Sequence, residues 1–302
     1  MYHMLAANVK ASKIPFERRL ALRFNAVIDI KEIAMTPAIA TTLEYLCPTP
    51  QRPFTRMFEP RDGQPRENAD YARRPVTIHD ARASATLLER EGYTLRHAPS
   101  AVTDFRDKDD VVRRYYPEVA ELALAVTGAS QAYVFDHLVR QRQPGTPHAF
   151  GRVDGQRHGA AGRVHCDFTA VSAQRRLAQE LGPRAAPVRR YAILNLWRSI
   201  RHPVLDAPLA MCDARSVAPG DLVASDIFYP DRAGEIYQLL HNPEHAWSYF
   251  PAMTRDEVLI FRQFDSATAA CYTPHAAFDH PLAPPDAAPR ESIEIRCLLV
   301  YA

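Results

Sequence analysis

The chain has 302 residues, 47% hydrophobic and 24% charged, with 37 basic side chains against 35 acidic ones. A formal charge of +2 gives no field that would recruit nucleic acid or an anionic membrane, and the composition is that of a soluble globular protein. The five cysteines are scattered with no C-x-x-C, which excludes a zinc ribbon or disulfide framework and suits a reducing cytoplasm.

The start, Met1 to Lys10, contains no apolar signal core, and no apolar run reaches membrane-spanning length, so a cytosolic protein is expected. Residues 1–74 read as an N-terminal extension and loop-rich segment. Its first twenty residues look loose, 25–30 and 41–46 have the pattern of short strands, and 48–75 is rich in Pro, Arg, Gly and Asn. One domain is expected over 75–302. It opens with a strand at 75–80 and a short helix over 82–91 that Gly92 would end. Asp109 or Asp110 can cap a longer helix over 109–127, with Val112, Tyr115, Tyr116, Val119, Leu122, Leu124 and Val126 as its apolar stripe and Gly128 as its stop. The helical part therefore spans 82–128.

From 131 the pattern changes to strand after strand: 131–140, 163–169, 191–197, 209–212, 235–240, 257–262, a segment around His275, and 292–301. A helix over 170–181 interrupts them, ending at Gly182-Pro183. About eight strands with turn-rich loops, and 25 prolines, predict a mainly β chain with flanking helices (α+β), its core a jelly roll over 131–302.

The run 163–169, Arg-Val-His-Cys-Asp-Phe-Thr, carries the strongest chemical signal. Strand side chains alternate faces, so His165 and Asp167 point the same way, about 6–7 Å apart, and Cys166 points to the other. An imidazole and a carboxylate on one face are two ligands of a 2-His-1-carboxylate site, which leaves iron(II) open positions for a cosubstrate and O₂. The third ligand is His275 or His245. His275 precedes Arg290 by fifteen residues, so adjacent antiparallel strands can bring imidazole and guanidinium into one cavity; His245 has no such arginine after it.

In the last strand Arg290, Ser292, Glu294 and Arg296 share one face and Glu291, Ile293, Ile295 and Cys297 the other. A bidentate guanidinium fork with a neighbouring hydroxyl suits the distal carboxylate of 2-oxoglutarate, with Arg290 and Ser292 as the pair and Arg296 as a further candidate. The alternative is an exposed edge with solvated charges. Asn195, buried in an apolar run, either holds a cosubstrate carboxylate or ties a strand. Tyr133, His137, Trp197, His245 and Trp247 are candidate pocket residues for a small-molecule substrate. Asp136 and Arg140 read as a structural ion-pair set, and Asp213 and Asp221 as loop residues.

The segments 133–140, 164–169, 194–198, 207–217, 241–250, 275–279 and 290–296, taken in order, resemble the hydroxylase/desaturase AsaB-like family (CmcJ-like and gibberellin-desaturase-like) over roughly 75–301. The resemblance implies a double-stranded β-helix of the cupin kind and an iron(II)/2-oxoglutarate-dependent oxygenase acting on a small specialised metabolite. It further implies that His165, Asp167 and His275 hold iron and that Arg290 with Ser292 anchors 2-oxoglutarate. The segment 241–250 departs from the family pattern at Ala246 and Ser248, which bears on substrate identity. Two other classes fit parts of the pattern: a cupin-type metal enzyme that does not use 2-oxoglutarate, and a non-catalytic accessory subunit in which the triad is dispensable. A nucleophilic hydrolase is disfavoured, because no Gly-x-Ser-x-Gly is present.

Overall fold

A computed structural model describes residues 37–302 apart from 62, 144, 146–152, 155, 156 and 271. The strand expected at 25–30 and the loose first twenty residues lie outside the described residues. One sheet has nine strands: β1 (Ala38–Leu46), β2 (Phe54–Arg56), β3 (Tyr71–Asp80), β8 (His165–Cys166), β10 (Leu209–Cys212), β11 (Leu222–Phe228), β12 (Ala233–Leu239), β13 (Trp247–Tyr249) and β15 (His275–Ala277). Their spatial order is β1-β3-β13-β10-β15-β8-β12-β11-β2. The other has seven: β4 (Tyr93–His97), β5 (Gln131–Gln141), β6 (Val153–Asp154), β7 (Arg157–His158), β9 (Tyr191–Ser199), β14 (Glu257–Asp265) and β16 (Glu291–Val300), ordered β4-β14-β9-β16-β5-β7-β6. The two curled sheets make the double-stranded β-helix, mainly β with flanking helices. Residue 75, the expected domain start, lies inside β3, and β1 pairs with β3 along its whole length.

The faces of β16 show why the sheets stack. Ile293, Ile295, Cys297 and Leu299 join the buried cluster under helix α1 (Tyr116–Thr127), whose Val119 and Ala123 pack into it. Ser292 and Glu294, on the other face, are buried as well, because that face looks into the space between the sheets. There Trp197, Leu259 and Phe261 of the seven-stranded sheet meet Leu209 and Met211 of the nine-stranded one. Helix α2 (Ala170–Leu181) lays Ala173, Leu177 and Leu181 against Ile193, Phe264, Leu298 and Val300. Among the described residues no helix is long and apolar enough to cross a membrane.

Three expectations need correction. The helix over 109–127 contains a wide π-helical turn, Val111–Tyr115, ahead of α1. Val112, assigned to its stripe, is 51% exposed; Val111 is buried instead, four residues before Tyr115 and eight before Val119, which keeps one helical face inward. The segment 82–91 is a series of turns, since it offers a single buried apolar side chain, Leu88, and so no face for a helix to bury. The strand at 163–169 shrinks to His165–Cys166. Thr169 accepts a bond from the Ser172 amide, Ser172 Oγ accepts one from the Thr169 amide, and this box starts α2 at Ala170.

Gly92 ends no helix but turns the chain into β4 at φ +87°, and a Cβ there would lie 2.3 Å from Thr273 Oγ1. Its carbonyl accepts from the Arg262 amide and from Thr273 Oγ1. Gly92→Ala is therefore expected to cost about 1–3 kcal/mol through backbone strain alone, read as a lower urea midpoint at unchanged slope.

Candidate metal centre

Strands β8 and β15 are neighbours, and His165 stands directly opposite His275. Cross-strand partners share a face, and the two ring centroids are 4.4 Å apart, both rings buried. His165 Nδ1 lies 2.7 Å from the Arg163 carbonyl and His275 Nδ1 3.3 Å from the Thr273 carbonyl. A carbonyl only accepts, so in the neutral rings Nδ1 carries the hydrogen and Nε2 presents its lone pair to the cavity. Burial, reinforced by the neighbouring His165, pushes His275 down to about 3, which keeps it neutral and able to ligate.

Asp167 follows the end of β8. Its amide donates to Gln263 Oε1 at 2.6 Å, while Gln263 Nε2 donates to the Thr273 carbonyl, so one side chain ties together the two segments that carry Asp167 and His275. Its Oδ2 accepts from Asn195 Nδ2 at 2.8 Å and Arg296 Nε at 2.9 Å. Its Oδ1 lies 3.3 Å from His165 Nε2. Burial alone would raise this carboxyl, but the Arg296 guanidinium and the His165 ring outweigh it and hold it well below the usual carboxylate range. Ligand atoms of His165, Asp167 and His275 all fall within 4.8 Å of one another. Among the described residues this is the one group of three such side chains that can hold a metal ion.

Arg296 and Asn195, expected at the cosubstrate, are corrected by this geometry. Arg296 also donates to Asp136 Oδ2 at 2.8 Å and Glu294 Oε1 at 2.7 Å, so its fork is engaged by carboxylates. Asn195 uses its amide nitrogen on Asp167. The sequence reading lacked the one fact that decides both: the carboxylate of Asp167 crosses to the facing sheet.

Arg290 and Ser292 behave differently. Arg290 is 3% exposed and lies over the Trp197 ring at 5.6 Å, and NH1 donates to the Ala207 carbonyl at 2.6 Å. Among the described residues its Nε has no partner, and neither does the buried Ser292 Oγ. Leaving such a group unbonded costs about 1–3 kcal/mol, so the pair is fitted to receive an acceptor. Burial lowers Arg290 only to about 10, so it remains a cation at neutral pH. A cation and a hydroxyl with spare donors, on the face of β16 whose Arg296 bonds Asp167, fit an anionic cosubstrate beside a metal.

Of the expected pocket residues, Trp197 stands on this face in register with Glu294, and Tyr133 shares it farther along, in register with Leu298. His137 bonds Tyr116 Oη and lies with Ile295 on the α1 side of its sheet. Tyr133 packs beside the α2 cluster with its hydroxyl on Gln131. Trp247 belongs to the cluster on the outer face of the nine-stranded sheet and donates to Tyr45 Oη. His245, the rival third ligand, sits between Tyr45 Oη and Asp221 Oδ2, each at 3.1 Å. Gln263 was missed, although a glutamine in the run Val-Leu-Ile-Phe-Arg-Gln-Phe is a visible irregularity.

Two imidazoles and one carboxylate on a β-helix framework are the ligand set that non-haem iron oxygenases use. A family model described as an oxidoreductase/YMDC permease-like domain matches residues 43–300. The alpha-ketoglutarate-dependent dioxygenase phiK of a fungal species is 33% identical over 244 residues, 78% of this chain and 86% of phiK. The hydroxylase/desaturase efuI of Hormonema carpetanum is 30% identical over 290 residues, 88% of this chain and 96% of efuI. The solved iron and alpha-ketoglutarate-dependent endoperoxidase NvfI, whose sequence comes from Aspergillus novofumigatus, superposes with a TM-score of 0.79 at 28% identity, covering 88% of this chain and 99% of NvfI. The chain belongs to the Fe(II)/2-oxoglutarate-dependent hydroxylase/desaturase family.

The two candidate histidines separate cleanly by calorimetry with Co(II). His275→Ala is expected to abolish binding, whereas His245→Ala keeps it and lowers stability by about 1–3 kcal/mol through the unpaired groups it leaves. Arg296→Lys and Asn195→Ala should each weaken Co(II) binding about 10–100-fold by loosening Asp167, with the fold intact by circular dichroism.

Proposed function

We propose that this protein oxidises an unactivated C–H bond of a small specialised metabolite, by hydroxylation or desaturation. In this reading Fe(II) is held by His165, Asp167 and His275, and the distal carboxylate of 2-oxoglutarate by Arg290 and Ser292. The observation that carries it is the pair of buried groups without a partner among the described residues, Arg290 Nε and Ser292 Oγ, on the face of β16 whose Arg296 holds Asp167. Relatives named hydroxylase/desaturase or alpha-ketoglutarate-dependent dioxygenase support the reaction class.

Bound Fe(II) with 2-oxoglutarate supplies the activation of O₂, which no protein side chain can provide. The residues of this chain do the rest. The Arg163 and Thr273 carbonyls fix the tautomers of the two imidazoles, so that each offers Nε2. Asn195 and Arg296 occupy Asp167 Oδ2 and leave Oδ1 as the donor atom. Arg290 and Ser292 grip the far end of the cosubstrate and fix its orientation. Trp197 and Phe261, both buried, keep that part of the cavity dry, and Phe261 lies 4.8 Å from the His275 ring.

Anaerobic addition of Fe(II) and then 2-oxoglutarate to the apo-protein should produce a weak visible charge-transfer band that requires both. Arg290→Leu should remove the band at moderate 2-oxoglutarate concentration and restore it only at concentrations about tenfold or more higher. A folded protein that binds Fe(II) yet develops no band would instead be a metal enzyme of the same fold that does not use this cosubstrate.

A further inference from the structure

Arg140 was read from sequence as part of a structural ion-pair set, but it pairs with no carboxylate among the described residues. It stands on β5 directly opposite Ser292 on β16. Directly opposed residues have Cβ atoms about 4.5–5.5 Å apart and share a face, so Arg140 enters the same end of the cavity as Ser292 and Arg290. Among the described residues its one bond runs from NH1 to the Gly159 carbonyl at 3.0 Å. A guanidinium has five N–H donors, which leaves most of this fork available.

The neighbouring arginines sharpen the contrast. Arg296, four residues along the same face from Ser292, is engaged by Asp136, Asp167 and Glu294. Arg142 is paired with Asp279. Among the described residues Arg140 and Arg290 bond no side-chain acid at this end, although the Glu294 charge reaches both, and the charge of Arg140 is felt at Arg290. The acids nearby are committed elsewhere: Asp206 accepts from the backbone amide of Arg290, and Glu294 accepts from Arg296. Two close cations beside an unbonded hydroxyl repel each other until an anion lies between them.

We propose that Arg140 is a second cation for the distal carboxylate of the cosubstrate, and that with Arg290 it makes the site select a 2-oxo diacid over a 2-oxo monoacid. This rests on the 2-oxoglutarate reading above. Holding the Gly159 carbonyl needs one donor, whereas a carboxylate uses the rest of the fork.

The test is anaerobic calorimetry on Co(II)-loaded protein with two probes. One is 2-oxoglutarate; the other is 2-oxopentanoate, the same five-carbon chain with a methyl in place of the distal carboxylate. Arg140→Gln should weaken 2-oxoglutarate binding about 10–100-fold and leave 2-oxopentanoate unchanged, shrinking the preference for the diacid. Arg140→Lys, which keeps the charge without the fork, should fall between, and it replaces the Gln variant if circular dichroism finds the latter unfolded. An unchanged 2-oxoglutarate affinity, or equal losses for both probes, would overturn the proposal. If wild-type protein binds Co(II) but neither probe, the cosubstrate reading itself fails and takes this one with it.

Discussion

The site depends on one carboxylate that spans two sheets. Asp167 leaves the end of a two-residue strand in the nine-stranded sheet, and its Oδ2 is taken by Asn195 and Arg296 of the seven-stranded sheet. A buried carboxylate without partners would take up a proton to escape the low dielectric. Here the guanidinium and the amide keep it ionised and fix its direction. The Arg296 charge is balanced in turn by Glu294 and Asp136, so the cost of burying these ions is spread over a network whose geometry is closed except toward the two imidazoles.

The turn that delivers Asp167 is equally constrained. Gln263 holds its amide, and two residues later the Thr169–Ser172 box begins α2, which is clamped onto the seven-stranded sheet by Leu177 and Leu181. The strand therefore has to stop where it does. The ladder ends at Cys166, and the helix that starts at Ala170 sets how far the strand can run.

Much of this was readable in the residues. Long apolar or mixed runs located β5, β9, β10 and β16 within a residue or two, and β9, β10 and β16 are buried on both faces. Helix α2 was readable to the residue from its Gly-Pro stop. The pair His165 and Asp167 stood out by spacing, and their side chains meet at one site although Asp167 lies past the strand end. What stayed hidden is what long-range contact decides. β13 is three residues long, too short to show a pattern, and is stabilised by β3 and β10 on either side. Asn195 and Arg296 are recognisable as polar groups in apolar strands, but only the approach of the second sheet tells that their partner is a protein carboxylate.

The fate of His245 shows how hydrogen-bond direction can decide metal chemistry. Trp247 Nε1 can only give a hydrogen, so Tyr45 Oη must receive it and pass its own single hydrogen to His245 Nδ1. That leaves Nε2 to carry the ring proton toward Asp221, and burial keeps the ring from gaining a second one. Both nitrogens are thereby spoken for, and the ring has no electron pair left to give a cation. One indole, oriented two positions along the chain, is enough to turn a potential ligand into a strut.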